Sequence, residues 1–310
     1  MKVGIVTIFA VPNYGAMLQS YGLSSYLRGL GIDAEVVNYR QPALEDYFRF
    51  RLGFPPALKH WMRLRAGSAF VEQRLHKSPR QLRSVDEFMR EADGYDALIT
   101  GSDQVWFTGP VQYYDPMFFL DLPEARARKI SYAASAGGNK TFGEHEDKVR
   151  TALSRFDHIG VRDAHTASLV RPLTDKPFTH TVDPVFVHDF AELLDERPPS
   201  SEPYVLVFGD FRGTLAEVVR QVRRQTGIGK VVTLQYPCPE ATLRLASVGP
   251  VEWLNWFRHA SFVVTSYFHG TVVAAKFRRP FVSVPTPGRR EKVSTLLEPL
   301  GPVSYTHLTL

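Results

Sequence analysis

The chain has 310 residues, 44% hydrophobic, 22% charged and 12% aromatic, ordinary globular values that exclude a disordered, collagen-like or supercharged protein. A net charge of +5, from 37 Lys and Arg against 32 Asp and Glu, is too small to argue for nucleic acid. The single cysteine, Cys238, excludes an internal disulfide framework and a multi-cysteine metal cluster. Length alone predicts two domains, at roughly 100–200 residues each. The opening MKVGIVTIFA imitates a short signal peptide, but no small-residue cleavage site follows. No apolar run approaches the ~18 residues of a membrane span, so a soluble, cytoplasmic chain is expected.

Residues 2–9 read as a buried strand, with Val3, Ile5, Val6, Ile8 and Phe9 and almost nothing polar. A turn at 11–15 (VPNYG) leads into a helix over 16–30 closed by Gly29 and Gly31, and a strand at 34–39 completes a βαβ unit. Between Arg49 and Arg83, nine Arg and Lys residues stand against Glu72 alone, with Phe50, Phe54, Trp61 and Phe70 among them. This basic excursion reads either as a solvated helical surface or as a patch for an anionic glycan, a lipid-linked substrate or a membrane surface. Short apolar strands follow at 97–100, 129–134, 159–161 and 179–182, with helices at 144–156 and 164–170. Polar loops repeatedly follow the C-terminal ends of these strands, where open parallel sheets bind ligands. Residues 195–203 (DERPPSSEP) read as a linker between domains at 1–194 and 204–310. The second domain repeats the pattern, with strands at 204–208, 230–234, 261–265 and 280–284 and helices at 215–226, 251–258 and 271–277.

Several strand ends carry chemistry-bearing residues. Asn13, Tyr14 and Gly15 form either a structural turn or an anion site at a helix start, without the glycine triplet of a dinucleotide fingerprint. Gly101, Ser102, Asp103 and Gln104 form either an Asx-type turn or a polar loop lining a cleft, with Trp106 able to stack on a sugar face. Arg162 could clamp an anion through its planar fork or pair with Asp163 or Asp157, and Asp183-Pro184 closes another strand. In Thr265-Ser-Tyr-Phe-His-Gly270 a histidine stands at a polar strand end, where it could move a proton or hold a loop. The other histidines show no metal-ligand spacing, and neither a metal nor a cofactor is expected.

Taken in order, VPNYGAMLQSYGL (11–23), LITGSDQVW (98–106), YAASAG (132–137), Val161 to Asp163, Asp183-Pro184, VTSYFHG (264–270) and Arg279-Pro-Phe281 resemble the polysaccharide pyruvyl transferase family. The resemblance runs from Met1 to about Gly301. It implies two Rossmann-like α/β domains in a glycosyltransferase-B-like architecture, an acceptor side followed by a donor side. It also implies transfer of pyruvate from phosphoenolpyruvate onto two hydroxyls of a glycan or lipid-linked saccharide, as a ketal with phosphate release. Such a role belongs to exopolysaccharide and cell-wall biogenesis, with peripheral contact at the inner face of the plasma membrane. On the same basis His269 is the catalytic acid and Asp103 a catalytic base for an acceptor hydroxyl. Asn13, Tyr14, Gly15, Gly101, Ser102, Gln104, Arg162, Ser266, Gly270 and Arg289 would bind substrate.

Two departures stand out. Where several characterised members carry an arginine two residues before the histidine to grip the donor, this chain has Tyr267, followed by Phe268. Arg258, His259, Lys276, Arg278, Arg279, Arg289 and Arg290 are the available replacements. The segment 291–300 resembles the family's helix after the histidine region, whereas the tail at 302–310 does not resemble its continuation, so a truncated second domain is expected. The missing arginine keeps two alternatives open: a glycosyltransferase using a nucleotide-sugar donor, and a non-catalytic glycan-binding protein.

Overall fold

A computed structural model describes residues 1–52, 58–109, 113–210, 215–286, 290–298 and 305–307. The chain divides into two compact units, Met1–Phe54 with Val71–Asp189, and Pro55–Phe70 with Phe190–Leu310. Each is built on a parallel sheet.

In the first unit, β1 (Lys2–Val6), β2 (Asp33–Val36), β3 (Ala97–Thr100), β4 (Arg128–Ala134), β5 (His158–Val161) and β6 (Phe178–His180) lie in the order β2-β1-β3-β4-β5-β6. Every adjacent pair is parallel. The first crossover is α1 (Tyr14–Gly29), whose residues from Tyr14 to Ser24 are all buried. A helix enclosed all round needs no polar stripe, which is why its sequence is apolar or small on every face. Asn13 caps it, its side chain accepting from the Gly15 amide at 3.0 Å. The basic excursion forms α2 (Pro42–Leu52) and α3 (Leu58–Arg74), followed by the short α4 (Val85–Met89). Most of α3, through Phe70, groups with the second unit. Helices α5 (Glu146–Leu153) and α6 (Ala164–Val170) return the chain between the remaining strands. Trp106, Phe118, Phe119 and Phe156 fill the core, and Trp106 is fully buried with its indole N–H donating to the Phe118 carbonyl at 3.1 Å. It is a packing residue with no face to offer a sugar.

In the second unit, β7 (Tyr204–Phe208), β8 (Lys230–Leu234), β9 (Leu243–Leu245), β10 (Phe262–Thr265), β11 (Phe281–Ser283) and β12 (Tyr305–His307) lie in the order β12-β11-β10-β7-β8-β9. Their pairings are again all parallel. Between them run α7 (Leu215–Thr226), α8 (Pro250–Arg258), α9 (Phe268–Lys276) and α10 (Arg290–Leu297). Leu215, Val218, Val219 and Val222 of α7 are buried at i, i+3, i+4 and i+7, the spacing that places them on one face. The strand order reverses between β1 and β3 in one sheet and between β7 and β10 in the other. Such switch points leave a crevice beyond the carboxyl ends of the strands.

Candidate functional site

In the first unit, a buried ionic network ties together the loops after β3, β5 and β6. Arg162, immediately after β5, is only 3% exposed along its side chain and donates from Nη1 to Asp183 Oδ2 at 3.0 Å and to Ser102 Oγ at 3.4 Å. Its Nη2 lies 3.6 Å from Asp103 Oδ1. Asp183 also accepts from the Val185 amide at 3.1 Å. A guanidinium buried between two carboxylates has its charge balanced locally, the condition under which burial is tolerated. Arg162 therefore organises loops, with Asp103 as a carboxylate paired to it by charge.

The loop from Gly101 to Gln104 is held from several sides. Ser102 Oγ donates to the Ala133 carbonyl at 3.0 Å, Thr7 Oγ1 donates to the Ser102 carbonyl at 2.8 Å, and the Ser135 amide donates to the Asp103 carbonyl at 2.9 Å. Asp103 sits at φ 75°, and its carboxylate accepts from the Gln104 amide at 2.9 Å. Gly101 has φ 108°, and a Cβ there would lie 2.2 Å from the Tyr132 carbonyl oxygen. Gly101→Ala is therefore expected to cost at least ~2 kcal/mol, from left-handed strain together with a backbone overlap, and a urea midpoint reads it. Gln19 Nε2 donates to Thr7 Oγ1 at 2.9 Å, tying α1 to the loop after β1. Tyr14 and Gly15 are buried at the start of α1, and Asn13 is exposed beside them.

In the second unit, α9 begins three residues earlier than periodicity suggests, so His269 lies in its first turn and is 8% exposed. Thr265 Oγ1 donates to the Phe208 carbonyl at 2.7 Å, and Ser266 Oγ accepts from the Asp210 amide at 3.0 Å. The loops after β7 and β10 are thus joined at the switch point. A Cβ on Gly270 would meet Thr265 Oγ1 at 2.2 Å, and one on Gly209 would meet Ser266 Oγ at 2.7 Å, so glycine permits the close approach. Tyr267, the residue before the helix, supplies no side-chain cap, and the first turn holds no acidic residue. Its ring stands 5.2 Å from Tyr236, which follows β8, and 5.1 Å from Phe208.

A buried cation near the start of α9 is Lys292. It is buried on α10 with Nζ 5.7 Å from the Phe268 ring, and that ring contacts His269 edge-on at 5.3 Å. The anticipated replacements lie elsewhere. Arg258 and His259 end α8, before β10 begins, and bond Asp195 and Glu196. Lys276, Arg278 and Arg279 lie between the end of α9 and the start of β11. All five belong to the amino end of the sheet, opposite His269. Arg290 is exposed at the start of α10, and Arg289 lies outside the described residues, as does the tail at 302–310 apart from 305–307.

The profile of the polysaccharide pyruvyl transferase family matches residues 13–287. The chain belongs to the polysaccharide pyruvyl transferase family. A search of curated proteins returns no significant match. Among solved structures, the S. aureus MnaA–UDP co-structure is similar at TM-score 0.55 and 10% identity, covering 99% of this chain and 83% of that one. The UDP-GlcNAc 2-epimerase from Neisseria meningitidis bound to UDP-GlcNAc gives 0.53 and 8%, covering 95% of this chain and 85% of that one. The Methanocaldococcus jannaschii UDP-GlcNAc 2-epimerase in complex with UDP-GlcNAc and UDP gives 0.50 and 9%, covering 98% and 88%.

These likenesses establish the fold: two parallel-sheet α/β domains resembling the glycosyltransferase-B architecture. The expected donor is corrected. The like-folded structures named above are a UDP co-structure and UDP-GlcNAc 2-epimerases bound to UDP-GlcNAc or UDP, which favours a nucleotide-sugar donor over phosphoenolpyruvate. With that donor go the ketal-forming reaction and the exopolysaccharide role inferred from it. No helix among the described residues is long and apolar enough to cross a membrane.

Proposed function

We propose that the chain is a glycosyl-transferring enzyme that takes a nucleotide sugar as donor in its second unit. The observation that carries this reading is the switch point between β7 and β10, where α9 presents an N-terminus free of acidic residues beside buried His269 and Lys292. A diphosphate suits this place: the helix dipole favours negative charge, and Lys292 supplies a compensating cation nearby. The Tyr236 and Tyr267 rings, both half-exposed, supply flat surface for a nucleobase. In the reaction the bond from the anomeric carbon to the diphosphate oxygen breaks, its electron pair leaves with the nucleotide, and an acceptor hydroxyl oxygen bonds to the carbon while its proton passes to water. His269 acts on the departing side, donating a hydrogen bond or proton to the diphosphate as charge develops.

A thermal-stability comparison tests the donor. UDP-GlcNAc or UDP at 100 times its Kd is expected to stabilise the chain by about 2.7 kcal/mol at 25 °C, seen as a raised Tm, while phosphoenolpyruvate leaves the Tm unchanged. Stabilisation by phosphoenolpyruvate alone would overturn the assignment.

A further inference from the structure

Helix α3 carries its apolar residues on two opposite faces. Arg63, Gly67, Phe70 and Val71 are buried, which accounts for one side. On the other, Leu58, Trp61, Met62 and Arg65 follow the i, i+3, i+4, i+7 spacing of a single helical stripe. Leu58 is 71% exposed, and Trp61 and Met62 are each 45% exposed. Arg65 is also exposed, its guanidinium 5.4 Å from the centre of the Trp61 ring. Isolated exposed apolar side chains are common, but three large ones on consecutive positions of a stripe are not explained by packing.

The charge of the helix itself says what covers this face: α3 carries Lys59, Arg63, Arg65 and Arg74 against Glu72 alone, and exposed Arg65 stands on the stripe. Beyond the helix, Lys77, Arg80 and Arg83 pair with Glu72, Glu91 and Glu45. Glu72 itself is occupied, 3.0 Å from Lys77 and 3.7 Å from Arg40. A second copy of the chain would bring the same positive charge against the stripe. An anionic lipid surface complements it: a tryptophan and aliphatic side chains enter the headgroup–acyl boundary while arginine and lysine meet phosphate. We infer that the outer face of α3, centred on Leu58, Trp61 and Met62, docks on an anionic bilayer surface without spanning it. This inference stands independently of the donor assignment.

The four tryptophans make the test direct, because Trp106 and Trp253 are fully buried and Trp256 is 5% exposed, leaving Trp61 as the exposed reporter. The full chain is titrated with phosphatidylcholine vesicles and with vesicles containing phosphatidylglycerol, reading tryptophan emission and co-sedimentation. A blue shift and co-sedimentation with the anionic vesicles only, weakened by added salt, are expected. Leu58→Ser with Met62→Ser, and separately Arg65→Glu, should each weaken partitioning by about tenfold or more, and Trp61→Phe should remove the shift while sparing co-sedimentation. All these side chains are exposed, and circular dichroism verifies that the variants stay folded. Failure to partition, equal partitioning into both vesicles, or undiminished partitioning of the Leu58→Ser and Met62→Ser variant overturns the inference. Self-association through this face without vesicle binding overturns it in favour of a dimer.

Discussion

In the His269→Ala variant, release of UDP from a nucleotide-sugar donor is expected to fall by about 10²–10⁴-fold, the range lost with a positioned proton donor. Donor binding should survive, because the amides at the start of α9 and the Lys292 charge remain. The split between kcat and binding is therefore the informative measurement: a fall in kcat with KM little changed marks an interaction made in the transition state. Lys292→Met should show the opposite pattern, with donor affinity falling more than kcat. His269 is enclosed at the helix start, so its truncation also leaves a small void. Circular dichroism and the Tm of the variant separate that effect from chemistry. Normal turnover without His269 would remove it from the reaction.

Asp183→Ala is expected to destabilise the first unit by about 3 kcal/mol, toward the lower end of what breaking a buried ion pair costs. The Arg162 guanidinium would stay behind with Asp103 3.6 Å away. The Val185 amide would lose its acceptor as well. Asp183→Asn should cost less, since an amide oxygen can still accept from Val185 while only the charge is lost. Pairing Asp183→Ala with Arg162→Met should recover part of the loss by removing the stranded charge, although Asp103 then lacks its cation. Urea unfolding of the series reads these differences, with the first-unit transition fitted separately because a chain of two units need not unfold in one step. If Asp183→Ala were neutral, the network could not be what fixes the loops.

Much of the fold was legible in the residues. Strands of four to seven residues announce themselves as short apolar runs bounded by glycine and polar turns, and both α7 and β8 run over the expected residues. Residues 243–245 gave no such sign. Leu243 and Leu245 are half-buried around exposed Arg244 at the edge of the sheet, too short a pattern for periodicity. The start of α9 was misplaced for a related reason: Phe268 and His269 look like strand-end residues because enclosure of the helix removes any polar stripe. Within the site, Arg162 was visible as a charged residue after a strand, but its partner was not. Asp183 follows it by 21 residues, and only the parallel arrangement of β5 and β6 brings them together. Lys292 was hidden in an ordinary amphipathic segment, since nothing in EKVSTLL marks one lysine as enclosed.

Helix α3 has a consequence for how the protein comes into being. Residues from Leu58 to Phe70 group with the second unit, yet they precede most of the first unit in the chain. During synthesis this helix emerges long before the strands of its own unit exist, with the enclosed faces of Arg63, Gly67 and Phe70 still uncovered. A fragment beginning at Phe190 would lack the helix altogether, so severing the chain at the 195–203 segment does not yield two self-sufficient halves. The long-range docking of α3 is a slow kind of contact, and the second unit is complete only after its own strands, made later, are there to receive the helix.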